Sequence, residues 1–410
     1  MLTQFSVKNY KSIKDKITLD MQATAISEHE DQVISANNQK YLPITAIYGP
    51  NGGGKTNVLM ALYTLVTKVM SPIRAASDIN TNSTKKAQVI PFAFDLSCVN
   101  QPTEFEVFFQ TGKAEYRYIL EILYDQVVYE SLDRIKNETG RRSALFRKDK
   151  DDVMMKGEFG KLKVTGMVSP TLPLLSYLGI TYRKNAIVDD VISWFENDIR
   201  FLNYGNPIYE LVTVLNLDNV RRSLMLDMIK EMDLDIEDYR VDQIDEQRIE
   251  VYTSHNIDGN TVELSLNDES SGTKKLFALL PFIADSLIRG TTLIIDELDA
   301  KIHPVLLEYL ITMFSDMKKN KKGAQLIFTS HDLSTMNSEV FRRDEIWFAA
   351  KGKKQNSNLY SLVEFKTTSG ESVRKDAKFD KQYLEGRYGA DPYLKKIINW
   401  ESLNEMISRL

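Results

Sequence analysis

Residues 43–56 read PITAIYGPNGGGKT. The first six are apolar and β-rich, as expected of a buried strand. The last eight place Gly49, Gly54, Lys55 and Thr56 in the spacing G-x-x-x-x-G-K-[ST]. From Asn57 to Met70 the residues Val58, Leu62, Val66 and Val69 recur along one helical face. Four of the chain's 19 glycines (Gly49, Gly52, Gly53, Gly54) fall in this one turn, more than a simple connection needs. Glycines let the backbone turn tightly and bring its N–H groups close to an anion. The helix that follows starts with its positive end at the same place. The stretch therefore predicts a phosphate cradle. Lys55 reaches the β- and γ-phosphates, the Thr56 hydroxyl ligates Mg²⁺, and Asn51, Gly52, Gly53, Gly54 and Asn57 complete the nucleotide contacts. A glycine-rich connection with an accidental lysine is the alternative, and the strand before and helix after speak against it.

Two later strands carry matching signals. Thr292 to Ile295 is apolar and ends in Asp296–Glu297. A carboxylate at the end of a strand neighbouring the phosphate loop can hold Mg²⁺ through water, and a second one beside it can polarise the attacking water. Asp296 is assigned to the metal and Glu297 to general base or water positioning. Gln325 to Thr329 ends in Ser330–His331–Asp332, where His331 can donate to a γ-phosphate oxygen; the bland alternative is a capping turn. Upstream, LNDESSGTKKL (266–276) opens a helix with Ser271 and Gly272 at its N-terminus and Lys274 and Lys275 in its first turn, an anion-ready end. One chain already holds one cradle, so this second one should serve another nucleotide. The economical arrangement is head-to-tail, each subunit's Ser271 and Gly272 closing over the γ-phosphate held by the other. An ordinary N-cap at Ser271 is the alternative.

The remaining chain frames these motifs. Its 410 residues allow two or three structural units. With 43% hydrophobic and 27% charged residues the composition is that of a folded protein, which excludes disorder and collagen-like repeats. The net charge of −5 does not indicate nucleic-acid binding, so DNA contact would need a local patch: Lys318, Lys319, Lys321 and Lys322, or Arg141, Arg142, Arg147, Lys148 and Lys150. Solvated loops are the preferred reading of both. The single Cys98 excludes an internal disulfide and argues for a reducing compartment. No stretch holds the roughly 18 uninterrupted apolar residues of a membrane span, so a soluble cytoplasmic protein is expected. Alternation predicts strands at 5–13, 17–21, 92–96, 104–110, 116–123 and 127–132, then at 248–252 and 261–266. The segment 27–40 reads as a loop and 141–154 as charged and exposed. Helices are expected over 171–201, 209–232, from Gly272 and over 304–317, where Pro304 suits a first helical turn. Trp194, Phe195, Phe201 and Tyr204 read as helical packing rather than a base-stacking platform.

In order, GPNGGGKT, ESSGTKK, LIIDELDAKIHP and FTSHD resemble the phosphate loop, signature, acidic strand, D-loop and switch histidine of ABC-type ATPases. FSVKNYKSI is similar to the opening strand of the SMC/RecF branch. ESSGTKKL, DELDAKIHP and RRDEIWF…YLEGRYGADPYL resemble the AAA-type ATP-binding proteins of bacterial abortive-infection and phage-defence systems. The likeness is weakest over 135–245. It implies an α/β fold: an ABC-type P-loop ATPase head with a mixed sheet, flanking helices and an antiparallel β-subdomain, plus a helical lobe and no long coiled coil. Its expected parts are 1–135, 136–265 and 266–410. It also implies a Mg²⁺-dependent ATPase that dimerises around ATP, with Asp299 near the seam and higher oligomers left open, acting as sensor or switch for a separate effector protein. Two features depart from the pattern. Thr273 and Lys274 stand where transporters carry glycine and glutamine, and only Gln88 is a candidate for the Q-loop glutamine. No paired-histidine or cysteine cluster follows His331, so a fused nuclease is not expected. The rivals are a RecF-like DNA repair ATPase, which predicts ATP-dependent, salt-sensitive DNA binding, a transporter subunit, and a non-hydrolysing scaffold.

Overall fold

The computed structural model of the chain describes residues 1–77, 88–137, 140–165, 168–202, 217–232, 234–243, 249–366, 370 and 372–390. Every residue of Ile44–Tyr48 (β5) is buried, as an apolar run covered on both faces requires. β5 lies inside a six-stranded sheet with Ile199–Leu202 (β11), Thr292–Ile295 (β15), Gln325–Thr329 (β16), Ile346–Lys351 (β17) and Ser357–Ser361 (β18). The order is β11-β15-β16-β5-β17-β18, parallel except for β18. The register sets Thr329 opposite Ile47 and Phe328 opposite Ile295, so β5, β15 and β16 end at one rim.

A second, antiparallel sheet of seven strands runs β10-β9-β8-β7-β6-β1-β2. It comprises Leu2–Lys8 (β1), Ile17–Asp20 (β2), Thr103–Gln110 (β6), Glu115–Leu123 (β7), Gln126–Ile135 (β8), Arg142–Asp149 (β9) and Asp152–Met155 (β10). Between the sheets runs Lys55–Ala76 (α1), which buries Val58, Leu62, Leu65, Val66 and Val69. Each such side chain contributes about 1.5–3 kcal/mol on burial. α1 is the one described helix long and apolar enough to cross a membrane, and most of it is packed into this core. At 22 residues it is also the longest described helix, so no long coiled coil is present among the described residues. Leu174–Thr181 (α3) packs on α1, where Ser176 donates to the Val69 carbonyl at 2.7 Å. The start of α3 is held by buried Glu130, which accepts from the amides of Leu174 (2.5 Å) and Leu175 (2.8 Å).

Several sequence expectations are corrected. The segment 92–96 is not a strand. Asp95 accepts from the Ser97 amide and caps the short helix Leu96–Val99 (α2). The stretch 141–154 is not a charged loop but β9 and β10, with Leu145, Phe146 and Lys148 buried and most of the other charges exposed. The predicted helix over 171–201 divides into α3, Ala186–Ser193 (α4), a single π turn (194–198) and β11. Asn185 makes the break by capping α4 through the amides of Ile187 and Val188. The loop expected over 27–40 contains the hairpin Ile34–Ala36 (β3) and Gln39–Tyr41 (β4), turned by Asn37 and Asn38 at positive φ. The helix expected over 209–232 is described as Asn219–Glu231 (α5), and residues 209–216 lie outside the described residues, as does Tyr204. Asp238–Gln243 (β12) joins Ile249–Ile257 (β13) and Asn260–Ser265 (β14) in a small sheet. The division expected at residue 135 falls between β8 and β9, which are neighbours in one sheet. Trp194 and Phe195 are core, with Trp194 stacked on Phe109 at 4.1 Å.

Candidate functional site

β5 brings Tyr48 to the rim, and the chain turns at Gly49 with φ 146°. Crowding demands glycine here. A Cβ on Gly49 would overlap the Ala349 carbonyl of β17, and one on Gly53 would lie 2.5 Å from the same oxygen. Gly54 (φ 104°) opens α1 and lies against Ser357 of β18. Behind the loop, Ser12 Oγ receives hydrogen bonds from Asn57 Nδ2 and Ser357 Oγ, both at 2.7 Å. No side chain caps α1, so its first amides point open toward the rim, ready for an anion. Asn51, Gly52 and Thr56 are exposed there.

Lys55 is buried, and its Nζ folds back to donate to the carbonyls of Gly49 (2.8 Å) and Pro50 (3.3 Å). Burial holds its pKa below the ordinary lysine value, while Asp296, Glu297 and Asp299 pull it the other way.

β16 lies between β15 and the loop strand β5, so the acidic strand end meets the phosphate loop across one strand. Thr329, the last residue of β16, spans the gap. Its hydroxyl donates to Asp296 Oδ1 at 2.6 Å and accepts the Glu297 amide at 2.7 Å. Thr56 donates to the same Asp296 Oδ1 at 3.2 Å. Adjacent ligands of an octahedral Mg²⁺ with bonds of about 2.1 Å lie about 3 Å apart. The Thr56–Asp296 separation therefore fits one edge of that octahedron, and these two residues would hold the ion. Glu297 is exposed and held at φ 52°. His331 is exposed, its amide donates to Asp299 Oδ2 at 3.1 Å, and it lines a cavity of about 200 Å³ with Gly49, Asn51 and Leu384 of helix Phe379–Leu384 (α8).

The helix Ser271–Arg289 (α6) is capped by Ser270, whose Oγ accepts the Thr273 amide at 3.0 Å. The cap alternative thus falls to Ser270. Ser271 is exposed, and its hydroxyl has no hydrogen-bond partner among the described residues. The fold thus brings together Lys55, Thr56, Asp296, Glu297 and His331. No hydrogen bond among the described residues joins Ser271, Gly272 or Gln88 to the loop. His303 caps Pro304–Ser315 (α7) through the Val305 amide and plays a helix-start role. In the second basic patch Arg142 and Arg147 are both taken up by Asp133, and Lys148 is buried. Sequence reasoning missed Thr329, Ser12, Ser357 and the Ala349 carbonyl. A threonine closing the strand before Ser330–His331 was the one readable sign.

Residues 44–162 and 191–337 match the family described as "AAA domain, putative AbiEii toxin, Type IV TA system". The chain belongs to this family. Its core is a six-stranded, largely parallel sheet that carries the glycine-rich loop, packed through α1 on a seven-stranded antiparallel sheet. Among curated proteins none matches the chain. Among solved structures, the SMC head domain from Thermotoga maritima is 14% identical with a TM-score of 0.40, over 88% of this chain and 98% of that one. The Smc head domain with a coiled coil and joint from Pyrococcus yayanosii is 10% identical with a TM-score of 0.44, over 94% of this chain and 99% of that one.

Proposed function

We propose that the chain is a Mg²⁺-dependent ATPase that closes as a homodimer around ATP and works in the cytoplasm as a switch on a separate effector protein in anti-phage defence. The observation that carries this reading is the junction of Lys55, Thr56 and Asp296 at the rim of the core sheet, with Thr56 Oγ1 and Asp296 Oδ1 3.2 Å apart. ATP phosphates take over the Lys55 ammonium from the Gly49 and Pro50 carbonyls, and the open amides of α1 cradle them. Thr56 and Asp296 hold the metal, which when bound neutralises charge developing on the phosphates. Glu297 orients the attacking water and accepts its proton, and His331 donates to the γ-phosphate. Exposed Ser271 and half-buried Gly272 are the partner subunit's lid on that phosphate, which explains why neither meets its own chain's loop. Family membership supports the defence setting.

Phosphate release and gel filtration with ATP test the reading. Lys55→Ala abolishes nucleotide binding. Glu297→Gln binds ATP, turns over at least about 100-fold more slowly and elutes as a dimer. Wild-type turnover in Glu297→Gln removes the catalytic assignment, and a monomer under every nucleotide condition removes the closed dimer. Co-purification with the products of neighbouring genes, with and without ATP, identifies the effector; an effector captured equally in both conditions argues against a switch.

A further inference from the structure

Lys275 stands in the first turn of α6, four residues past Ser271, and is 7% exposed. Its ammonium crosses to the loop after β15 and donates to the carbonyls of Glu297 (3.1 Å), Leu298 (2.9 Å) and Ala300. Three described backbone acceptors converge on this ammonium. That loop is folded on itself. The Ala300 amide bonds the Glu297 carbonyl at 3.2 Å, the Ile302 amide bonds Asp299 at 3.0 Å, and the Leu298 amide bonds Thr329 of β16 at 3.1 Å. Two of its non-glycine residues are left-handed, Glu297 at φ 52° and Lys301 at φ 65°. Such backbone costs free energy and persists only where the surroundings over-determine it. The packing is close on the other side too, since a Cβ on Gly272 would lie 3.1 Å from the Lys301 carbonyl.

We infer that Lys275 is a positioning residue that ties the acidic loop of each chain, Glu297 to Lys301, to its own Ser271–Gly272 element, so that the two move as one body. This rests on the proposed ATP-closed dimer for its consequence. There Glu297 serves its own chain's nucleotide, and Ser271 serves the partner subunit's. The tie therefore runs through each chain from one ATP site to the other. When Ser271 docks on the far γ-phosphate, the Lys275 bonds carry that displacement to the backbone of Glu297. Lys275 meets backbone carbonyls rather than the phosphate loop, so cutting the tie slows chemistry without weakening ATP binding.

Lys275→Met keeps the length of the side chain and removes the ammonium. In nucleotide-free protein, amide exchange over residues 297–302 should rise at least about tenfold while that of α1 stays unchanged. The kcat for ATP should fall at least about tenfold, with KM within about threefold of wild type, the pattern of a lost outer-shell support. Lys275→Arg keeps the charge but offers its donors in a planar fork, and should recover part of kcat. A simple packing role predicts a lowered melting temperature with wild-type kcat, and that result overturns the inference, as does unchanged exchange over 297–302. Should Lys275→Met not fold, Lys275→Arg carries the test: a kcat at least about threefold down at constant KM supports the tie, and wild-type kcat and exchange refute it. A wild-type protein inert toward ATP would sink the ATPase reading, while the exchange measurement would still decide whether the tie exists.

Discussion

Thr329→Val removes one hydroxyl and keeps the side-chain shape at a fully buried position. Two hydrogen bonds go with it, the 2.6 Å donation to Asp296 Oδ1 and the 2.7 Å acceptance from the Glu297 amide. The first is charge-assisted, about 1.5–3 kcal/mol, and the second leaves a part-buried amide unpaired at about 1–3 kcal/mol. Asp296 keeps the Thr56 bond, so the net loss should be about 2–4 kcal/mol, a large share of the 5–15 kcal/mol by which domains are typically stable. The functional effect is more specific. Asp296 loses the group that aims its carboxylate, and such outer-shell losses cost about 10–100-fold in metal affinity or activity. Urea unfolding reads the first effect, and ATP turnover across a Mg²⁺ titration reads the second. Thr329→Ser keeps the hydroxyl and forfeits a methyl, about 1 kcal/mol, and should titrate with Mg²⁺ like wild type. If Thr329→Val saturates at the wild-type Mg²⁺ concentration, or if the serine variant fails alongside it, the bridging role is wrong.

Other outcomes follow from the same geometry. Gly53→Ala drives a methyl to 2.5 Å from the Ala349 carbonyl, so the loop must shift and ATP binding should be lost in a fluorescent-nucleotide titration. Gly52→Ala, with nothing within 4 Å of its Cβ, should bind ATP and cost only about 1 kcal/mol for its positive φ. Glu345 is fully buried with no partner for Oε1, and burial, aided by Asp344 and opposed by the Arg342 amide and guanidinium, raises its pKa to about 8. The neutral carboxyl therefore supports the fold fully below the unfolded value near 4.5, and that support is lost as pH rises through about 8. Glu345→Gln should be more stable than wild type above pH 8 by on the order of 3–5 kcal/mol, with the gap closing toward pH 4. Chemical denaturation at both pH values checks this, and an equal gap at both would refute the burial argument.

What the sequence revealed and what it hid divide along a physical line. The phosphate loop was legible because its parts are contiguous: a strand, four glycines, a lysine and a helix follow one another in fourteen residues, and each answers to local backbone physics. Asp296, Glu297 and His331 were legible as polar ends of apolar strands. Strand order was hidden, because it depends on pairings hundreds of residues apart. With β16 placed between β5 and β15, Thr329 changes from a strand-closing residue into the link between the metal carboxylate and the Glu297 amide. The 141–154 run was misread for a related reason. Its charges flank the buried pair Leu145–Phe146, and Lys148 is buried opposite Glu130 in the register of β8 and β9. A count of charges cannot show that pairing.

The same division explains why the loop needs so many glycines. Gly49 and Gly53 both press on one carbonyl, that of Ala349, which arrives on β17 some three hundred residues later. The motif in isolation says that the backbone must come close to a phosphate. The fold adds that the loop's rear surface must also lie flat on a neighbouring strand, while Ser12 and Ser357 pin the first turn of α1. Substitutions on that rear surface, at Ala349 or Ser357, should therefore weaken ATP binding although neither residue faces the nucleotide. Ser357→Val, which deletes the bond to Ser12 and adds bulk beside Gly54, is the sharper case. An unchanged ATP affinity in that variant would mean that the loop holds its shape from its own sequence alone.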